Sequence, residues 1–572
     1  MQNRNNLSPG ASNALRDKRS FQKKSFGAVP GKQRLDIKDK PGFTDQLELN
    51  QRMLMLVTLL IVVTFLVFSR SLGNEILNGW DDGVYITHTD VVNFGQGSGA
   101  SIFSNFHLGM YQPLSVLSFA YNKMIGGSSP ASFILVNILL HLLNIWLVFK
   151  LMLKWVKRFE TAFIVALLFA LHPMHVEGVV WISTRSSLLY SAFFLAGLKQ
   201  YDKYLETAKR KHYFLTIMWA ILALFSKSMA ATFPLVLLLA DYLRNRSFKL
   251  NLLIEKIPFF ILSVIFGIVA IKASASFGHI TGIEKDYGII ERIVLILYGL
   301  SFYLIKLVLP VNLSAIYAFP EKVDGLFPIW VYGSLIALAG VAWVIWKNKE
   351  NRRIFTFGGL FFLATIGMVL PLFWSRIFIT ADRYTYIPYL GLFIIVAIAL
   401  TRLWDGRNNL KISTRNTVYT AAILSLILLI SATWNRIKYW KDVPTLLNQV
   451  IDNQRSNADM AHGYFYLGNY YDALGNDEEA VKNYSLSISR NDDYLLAFNN
   501  RGIIRGKQMN SNAAIADFTK AVTINPDYAE SYYNRGIAYF QQQNQDQACA
   551  DWNKAALLGF KEADKLLSQY CK

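Results

Sequence analysis

The sequence is poor in charge, cysteine and proline. Only 17% of its 572 residues are Asp, Glu, Lys or Arg, where a soluble globular domain carries roughly a quarter. Two cysteines exclude a disulfide-rich scaffold and a cysteine-ligated metal cluster, and 15 prolines and 35 glycines exclude a low-complexity chain. The composition therefore excludes a single soluble domain.

Apolar residues make up 53% of the chain and are concentrated between positions 52 and 434. The first uncharged run, from Met53 to Phe68, lies between Arg52 and Arg70 and approaches the ~20 residues that span a bilayer. Further uncharged runs follow as far as position 435. The pattern predicts an all-α chain, with a polytopic membrane domain over 51–435 that includes a large outer loop at 71–130.

The basic segments between the runs set the topology. The positive-inside rule puts the segments near 154–158, 203–211, 244–249, 347–353 and 402–415 in the cytoplasm, and the loops near 172–185, 274–288 and 375–385 outside. The chain has twelve such uncharged runs, but an N-terminus inside the cytoplasm and a C-terminus outside it need an odd number of spans. We expect one merged or non-spanning segment between 257 and 346, and hence 11 to 13 spans.

The two flanks are polar. Residues 1–50 are basic and lack apolar periodicity, which predicts a disordered cytoplasmic arm without the interleaved aromatic residues that nucleic-acid binding needs. After Trp434 a repeat of 34 residues begins, which predicts three tetratricopeptide repeats and a capping helix over 455–572. The repeated positions are Gly468, Gly502 and Gly536; Ala480, Ala514 and Ala548; and Tyr484, Phe518 and Trp552.

Cys549 and Cys571 both lie in the last part of the repeat region. If this region faces an oxidising compartment, the two residues can form a disulfide between the final repeat and its capping helix. The alternative is a pair of buried thiols.

The first outer loop contains two adjacent carboxylates, Asp81 and Asp82, beside Trp80. Such a pair can bind a cation, accept a proton from a hydroxyl nucleophile, or cap the following helix. The second outer loop carries His172, His175 and Glu177. For these three residues, metal binding, hydrogen bonding to a substrate or phosphate, and structural pairing are all open. Metal binding by the two histidines is disfavoured, because no third ligand is evident.

Three cations occupy the outer ends of apolar runs, namely Arg185, Lys227 and Arg383. At a similar depth they could neutralise a lipid phosphate, which lies at the interface by necessity. Alternatively, each is a snorkelling or salt-bridged side chain, and Arg383 could pair with its neighbour Asp382.

Six segments in order resemble the transmembrane and tetratricopeptide-repeat-containing protein O-mannosyltransferase family, and specifically its bacterial relatives. The resemblance covers about 70 to 560. The segments are Trp80-Asp81-Asp82, Tyr111-x-Pro113-Leu114, Leu171 to Glu177, Arg185, Ser226 to Ala230, and Asp382 to Pro388.

The resemblance implies a glycosyltransferase of the GT-C fold, a polyprenyl-phosphate-linked sugar donor, and a catalytic carboxylate in the first outer loop. Asp81 or Asp82 would then be the base, and Arg383, Lys227 or Arg185 would bind the departing phosphate. The acceptor would be a protein Ser or Thr, or an envelope glycan, on the periplasmic side of the inner membrane, with the repeats binding it or a partner. A divalent metal is compatible with this mechanism. Eukaryotic members carry more repeats, so mannose and a cadherin-like acceptor do not carry over.

Two other functions fit the same residues. A non-enzymatic scaffold would use the helical part only as an anchor for repeats that recruit envelope proteins. A transporter is disfavoured, because the ionisable residues gather at outer helix ends rather than at the middle of the bilayer.

Overall fold

The computed structural model describes residues 43–78, 80–87, 99–276, 287–347, 349–371, 378–406, 412–453 and 456–571. The chain separates into two compact units, residues 1–55 and 56–572. Residues 1–42 of the predicted disordered arm lie outside the described part. The first described helix begins at Phe43, within the range predicted for the arm. Extending an existing helix costs no new nucleation, so the polar residues before position 51 join the helix that follows.

The described residues form helices and no strand, apart from two isolated bridges. The predicted all-α class is therefore confirmed, and the helices follow in this order: α1 Phe43–Ser69, α2 Gly99–Ser104, α3 Pro113–Gly126, α4 Pro130–Val156, α5 Phe159–Leu171, α6 Val176–Val180, α7 Arg185–Thr207, α8 Arg210–Ser226, α9 Phe233–Leu243, α10 Leu250–Ala275, α11 Ile289–Val308, α12 Ile329–Tyr332, α13 Ser334–Lys347, α14 Arg352–Ile366, α15 Tyr389–Gly406, α16 Ile412–Lys438, α17 Val443–Asp452, α18 Asn457–Ala473, α19 Asp477–Arg490, α20 Leu495–Lys507, α21 Ser511–Ile524, α22 Ala529–Gln541, α23 Gln545–Leu557 and α24 Glu562–Tyr570.

Several helices are long and apolar enough to cross a membrane. Within the described residues there are 6, or 7 if the bent pair formed by α5 and the following segment to Val180 counts as one span. The other apolar runs form shorter or more polar helices, so the count of 11 to 13 spans stays a prediction. The six are Gln51–Gly73, Pro130–Val156, Leu250–Ala275, Arg352–Val369, Tyr389–Gly406 and Thr414–Lys438.

Local sequence explains several helix boundaries. Proline stands in the first turn of α3, α4, α9 and α17, where its missing N–H costs no helical hydrogen bond. Helix α5 ends at Leu171 because His172 precedes Pro173, and a residue before proline disfavours the helical conformation. The chain therefore breaks at the outer end of α5, where the candidate site begins.

Two glycines let α14 and α15 approach closely. A Cβ atom placed on Gly358 would lie 2.4 Å from the backbone oxygen of Gly391. Any larger side chain would force the two helices apart, so these glycines fix the packing of the segment that leads back to Arg383.

The repeats have the predicted three helix pairs, α18 to α23, followed by α24. A Cβ on Gly468 would lie 2.5 Å from the ring of Tyr484, and Gly502 with Phe518 and Gly536 with Trp552 repeat this contact. The aromatic side chain of each repeat therefore packs on the glycine of the same repeat. The second and third repeats add a buried ion pair each, Arg501 with Asp517 and Arg535 with Asp551.

A disulfide joins Cys549 of α23 to Cys571 after α24, with the two Cα atoms 5.7 Å apart. A crosslink over 22 residues restricts the unfolded chain, which stabilises a domain of this kind by about 2–4 kcal/mol. Replacing both cysteines by serine should therefore lower the unfolding free energy of the repeats by that amount. Urea denaturation followed by far-UV circular dichroism at constant pH would measure it, and equal midpoints for variant and wild type would contradict it.

Candidate functional site

The segment from Glu177 to Ser187, called the central segment below, organises the candidate site. It comprises the end of α6, a 3-10 turn at Ile182–Thr184 and the first turn of α7. Its side chains and backbone provide partners for three of the charged residues that the sequence singled out, Asp82, Lys227 and Arg383, and it contains two more, Glu177 and Arg185. The pairs are Glu177 with Arg383, Ser183 with Asp82, Arg185 with Asn137, and Ser187 with Lys227.

Asp82 is buried and connects the first outer loop to the turn at Ile182–Thr184. Its carboxylate accepts hydrogen bonds from the Ser183 backbone N–H at 2.9 Å, from the Ser183 hydroxyl, and from the Leu77 backbone N–H at 3.3 Å. Only 1% of the residue is exposed. Burial raises the pKa of Asp82 to about 7, although these hydrogen bonds act in the opposite direction.

The raised pKa of Asp82 makes folding stability depend on pH. Between its ordinary value of 3.8 and about 7, the unfolded chain has released the proton while the folded chain keeps it. The contribution of Asp82 to stability is therefore full below about pH 4 and is lost as the pH rises through about 7. An Asp82→Asn variant lacks this pH dependence. Its stability relative to that of the wild type should therefore be higher at pH 8 than at pH 5. Thermal unfolding of both proteins in detergent at the two pH values tests this, and a constant difference would contradict it.

Asp81 lies beside Asp82 but is only partly buried. Its charge acts on groups from two distant parts of the chain. Burial lowers the pKa of Arg383, but the carboxylate of Glu177 and, to a smaller extent, that of Asp81 raise it above the ordinary value. The pKa of Tyr466 is raised by burial and further by Asp81, while Arg383 lowers it. Asp81, Arg383 and Tyr466 therefore lie in one electrostatic neighbourhood.

Arg383 is held by Glu177 of the central segment. The Glu177 carboxylate, which is 1% exposed, accepts hydrogen bonds from the Arg383 backbone N–H at 3.0 Å and from its guanidinium. The guanidinium carbon lies 5.2 Å from the centre of the Trp181 ring. The Arg383 side chain keeps 17% of its surface exposed.

The sequence alternative that Arg383 pairs with Asp382 is wrong. Asp382 is fully buried and accepts hydrogen bonds from the Tyr317 hydroxyl at 2.7 Å and from Arg436 at 3.2 Å. Adjacent residues of a 3-10 turn point in different directions. The two neighbours therefore join separate ion pairs, one to the central segment and one to α16.

Arg185 is buried inside the helical domain. It donates hydrogen bonds to the side-chain oxygens of Asn137 at 2.9 Å and Asn122 at 2.8 Å, and to the carbonyls of Phe133 and Ser118. Its guanidinium carbon is 4.5 Å from the centre of the Phe119 ring. These contacts hold α3, α4 and α7 together and leave the residue 0% exposed.

Lys227 reaches the same end of α7. Its ammonium group donates a hydrogen bond to the Ser187 hydroxyl at 2.6 Å. The preceding carbonyl, that of Ser226, accepts a hydrogen bond from the Ser115 hydroxyl at 3.0 Å. Ser187 lies four residues after Ser183, so one turn of helix separates the partner of Lys227 from the partner of Asp82.

His172 and His175 are enclosed by the helical domain, with 2% and 0% of their surfaces exposed. His172 hydrogen-bonds the Leu307 carbonyl at 3.1 Å, and His175 hydrogen-bonds the Phe169 carbonyl at 2.8 Å. Both rings pack against Tyr389. No cluster of three or more His, Cys, Asp or Glu residues suited to a metal occurs in the part of the chain that the structure describes.

An aromatic cluster adjoins Asp81 and Arg383, and the sequence reasoning missed it. Trp80 lies 5.5 Å from Trp181 and 5.6 Å from Tyr466 between ring centres, and Trp181 lies 5.8 Å from Trp440. A signal was present, since Trp80 and Trp181 both stand within or beside the segments that contain the charged candidates. The cluster unites the first outer loop, the central segment, the end of α16 and the first repeat.

Comparison with known proteins finds relatives of the repeats and of the longer chain. Family models described as "Tetratricopeptide repeat" and "TPR repeat" match residues 461–494 and 510–543. The protein O-mannosyl-transferase F38B6.6 of Caenorhabditis elegans is 25% identical over 462 residues, which is 76% of this chain and 63% of that protein. The protein O-mannosyl-transferase Tmtc1 of Drosophila melanogaster is 34% identical over 135 residues, 24% of this chain and 16% of that protein. The chain is a relative of these O-mannosyltransferases.

The resemblance drawn from the six segments is thereby confirmed, although the chain spans less than two thirds of either relative. Among solved structures, the oligosaccharyltransferase of Archaeoglobus fulgidus matches with a TM-score of 0.43 and 14% identity, over 83% of this chain and 72% of that one. The TPR domain of Arabidopsis OM64 matches with a TM-score of 0.19 and 24% identity, over 20% of this chain and 99% of that one.

Proposed function

We propose that the chain is a membrane glycosyltransferase that moves a sugar from a polyprenyl-phosphate-linked donor to a hydroxyl acceptor outside the cytoplasm. The observation that carries the proposal is that Trp181 packs against Trp80, next to Asp81, at 5.5 Å between ring centres and lies 5.2 Å from the Arg383 guanidinium carbon, although Asp81 and Arg383 are 302 positions apart. A base and a phosphate-binding cation are the two groups that such a transfer needs. The number of repeats gave no support for mannose, but the printed names of the relatives make mannose the first sugar to consider and a Ser or Thr side chain the first acceptor. An envelope glycan is the alternative acceptor.

The reaction we propose is a single displacement with inversion. The acceptor oxygen attacks the anomeric carbon while Asp81 takes the hydroxyl proton, and the bond from that carbon to the phosphate oxygen breaks. The electron pair leaves on the lipid phosphate, where Arg383 meets the growing negative charge. A preorganised cation helps most where charge develops in the transition state. Because the leaving phosphate stays on its lipid, no nucleotide-binding loop is needed.

The two aspartates have different roles in this proposal. The Asp82 carboxylate accepts three hydrogen bonds and positions the first outer loop. The Asp81 side chain is only partly buried and serves as the base. Arg185 likewise positions the helices, because its guanidinium donates four hydrogen bonds inside the domain. His172 and His175 support the bend after α5. Lys227 is a second candidate for the phosphate, since it lies at the same end of α7.

The disulfide between Cys549 and Cys571 supports the placement of the repeats outside the cytoplasm, because such bonds persist in oxidising compartments. The first repeat contacts Trp80 and Phe378, which lie close in sequence to Asp81 and Arg383, and this supports a site on the same side of the inner membrane as the repeats. The apolar helices expose large aliphatic side chains, which supports a surrounding bilayer and a lipid-linked donor.

The proposal is tested with the full chain purified in detergent, polyprenyl-phosphate mannose as donor and a Ser/Thr-rich peptide as acceptor. Mass spectrometry should detect a hexose on the peptide. A strain that lacks this protein then distinguishes an enzyme from a non-enzymatic scaffold. When the full-length Asp81→Asn variant is introduced, it should fail to restore the envelope glycans or glycoproteins of that strain. Full restoration by that variant would favour the scaffold.

A further inference from the structure

The first repeat helix, α18, is fastened to the outer loop between α11 and α12. The Ala318 backbone N–H donates a hydrogen bond to the Asp459 carboxylate at 2.7 Å, and the Ala458 backbone N–H donates one to the Glu321 carboxylate at 2.8 Å. Hydrogen bonds that involve a charged acceptor are shorter and stronger than neutral ones. Two of them in opposite directions fix both the position and the rotation of the start of α18.

Tyr466 lies two helical turns after Asp459, on the same face of α18. Its ring centre lies 5.6 Å from Trp80, next to Asp81, and 6.4 Å from Phe378. Within the described part of the chain its hydroxyl makes no hydrogen bond, whereas the hydroxyl of Tyr494 pairs with His462. A partly buried hydroxyl that has no hydrogen-bond partner among the described residues, beside the loop that contains Trp80 and Asp81, is suited to hydrogen-bond a ligand.

We infer that Tyr466 is a substrate contact of the transferase proposed above, its hydroxyl donating a hydrogen bond to an oxygen of the acceptor polypeptide beside Asp81. The inference rests on that proposed function and deepens it, because it makes the first repeat a wall of the site. The acceptor is favoured over the donor for two reasons. The ring contacts Trp80, adjacent to Asp81, and the effect of Asp81 on the hydroxyl exceeds that of Arg383.

The matched control is Tyr470, on the same face of α18 one turn further on. The carboxylates that act on Tyr470 are Glu75 and Asp442 rather than Asp81. Tyr466→Phe and Tyr470→Phe each remove one hydroxyl from the same helix, so any difference between the variants reports on the surroundings of that hydroxyl.

The experiment uses the full chain in detergent and the Ser/Thr-rich peptide. Tyr466→Phe should weaken peptide binding and raise the peptide KM by about three- to tenfold, the effect of one lost neutral hydrogen bond. The donor KM and the unfolding midpoint should not change. Tyr470→Phe should match the wild type in all four measurements.

Several results would overturn the inference: unchanged peptide binding by Tyr466→Phe, a rise in the donor KM instead, or a lower unfolding midpoint, which would show that the hydroxyl has a partner inside the protein. A wild type that binds no such peptide would overturn it as well. If the wild type binds the peptide without glycosylating it, and only Tyr466→Phe weakens binding, the contact stands and the proposed reaction fails.

Discussion

Replacing Asp81 by Asn is expected to lower kcat by about 10² to 10⁴-fold, the usual contribution of a general base. Asparagine keeps the size of the side chain but cannot take a proton from the acceptor hydroxyl. Donor and peptide binding should change little, since the lost interaction belongs to the transition state. The measurement is initial rates of sugar transfer over a range of both substrates.

Asp82→Asn is the neighbouring control for Asp81. Its amide keeps one acceptor oxygen and turns its N–H groups either to the Leu77 donor or to the Ser183 donors that now bond to the carboxylate. This variant should lose thermal stability, with kcat reduced far less than in Asp81→Asn. If Asp82→Asn abolished transfer while Asp81→Asn kept full activity, the two assigned roles would be reversed. Full activity in both variants would remove the proposed base altogether.

Removing the charge of Arg383 is expected to raise the KM for the lipid donor by about 10- to 100-fold, the effect of one charge-assisted hydrogen bond to phosphate. Arg383→Ala alone is a poor test, because it leaves the buried Glu177 carboxylate without its partner and costs roughly 3–5 kcal/mol of stability. The variant to measure is therefore Arg383→Gln combined with Glu177→Gln, which replaces the ion pair by two amides.

Glu177→Gln alone is the control for this double variant. It retains the guanidinium, so its donor KM should stay near that of the wild type, with unfolding measured in parallel. A double variant that folds and binds donor normally would show that Arg383 serves only the ion pair. In that case Lys227 would become the leading candidate for the phosphate contact, and Lys227→Gln would be measured in the same assay.

Local and periodic features were predictable from the sequence. The contacts of Gly468, Gly502 and Gly536 follow from a glycine and an aromatic residue that recur at a fixed interval, and each repeat forms the same helix pair. The pairing of Cys549 with Cys571 followed because the chain has no other cysteine. The charged candidates were also found, since charges at the ends of apolar runs stand out against their surroundings.

Partners that are distant in the chain were not predictable. Glu177 and Arg383 are 206 positions apart, and nothing local distinguishes this pairing from one with Asp382. The difference between Asp81 and Asp82 depends on which carboxylate the Ser183 turn covers, and that depends on the packing of separate helices. The contact of Tyr466 with Trp80 was missed because the sequence reasoning treated the repeats and the membrane domain as separate domains.

The hydrogen bonds from Ala318 to Asp459 and from Ala458 to Glu321 join the repeats to the outer loop. In the proposed transferase, this junction has a consequence for how residues are chosen for modification. In the proposed reaction, a polypeptide captured by repeats that are fastened to the outer loop would be presented to Asp81 at a constant offset from the point of capture. Selection would then act as a ruler, counting residues along the captured strand, and flanking amino-acid identity would matter little.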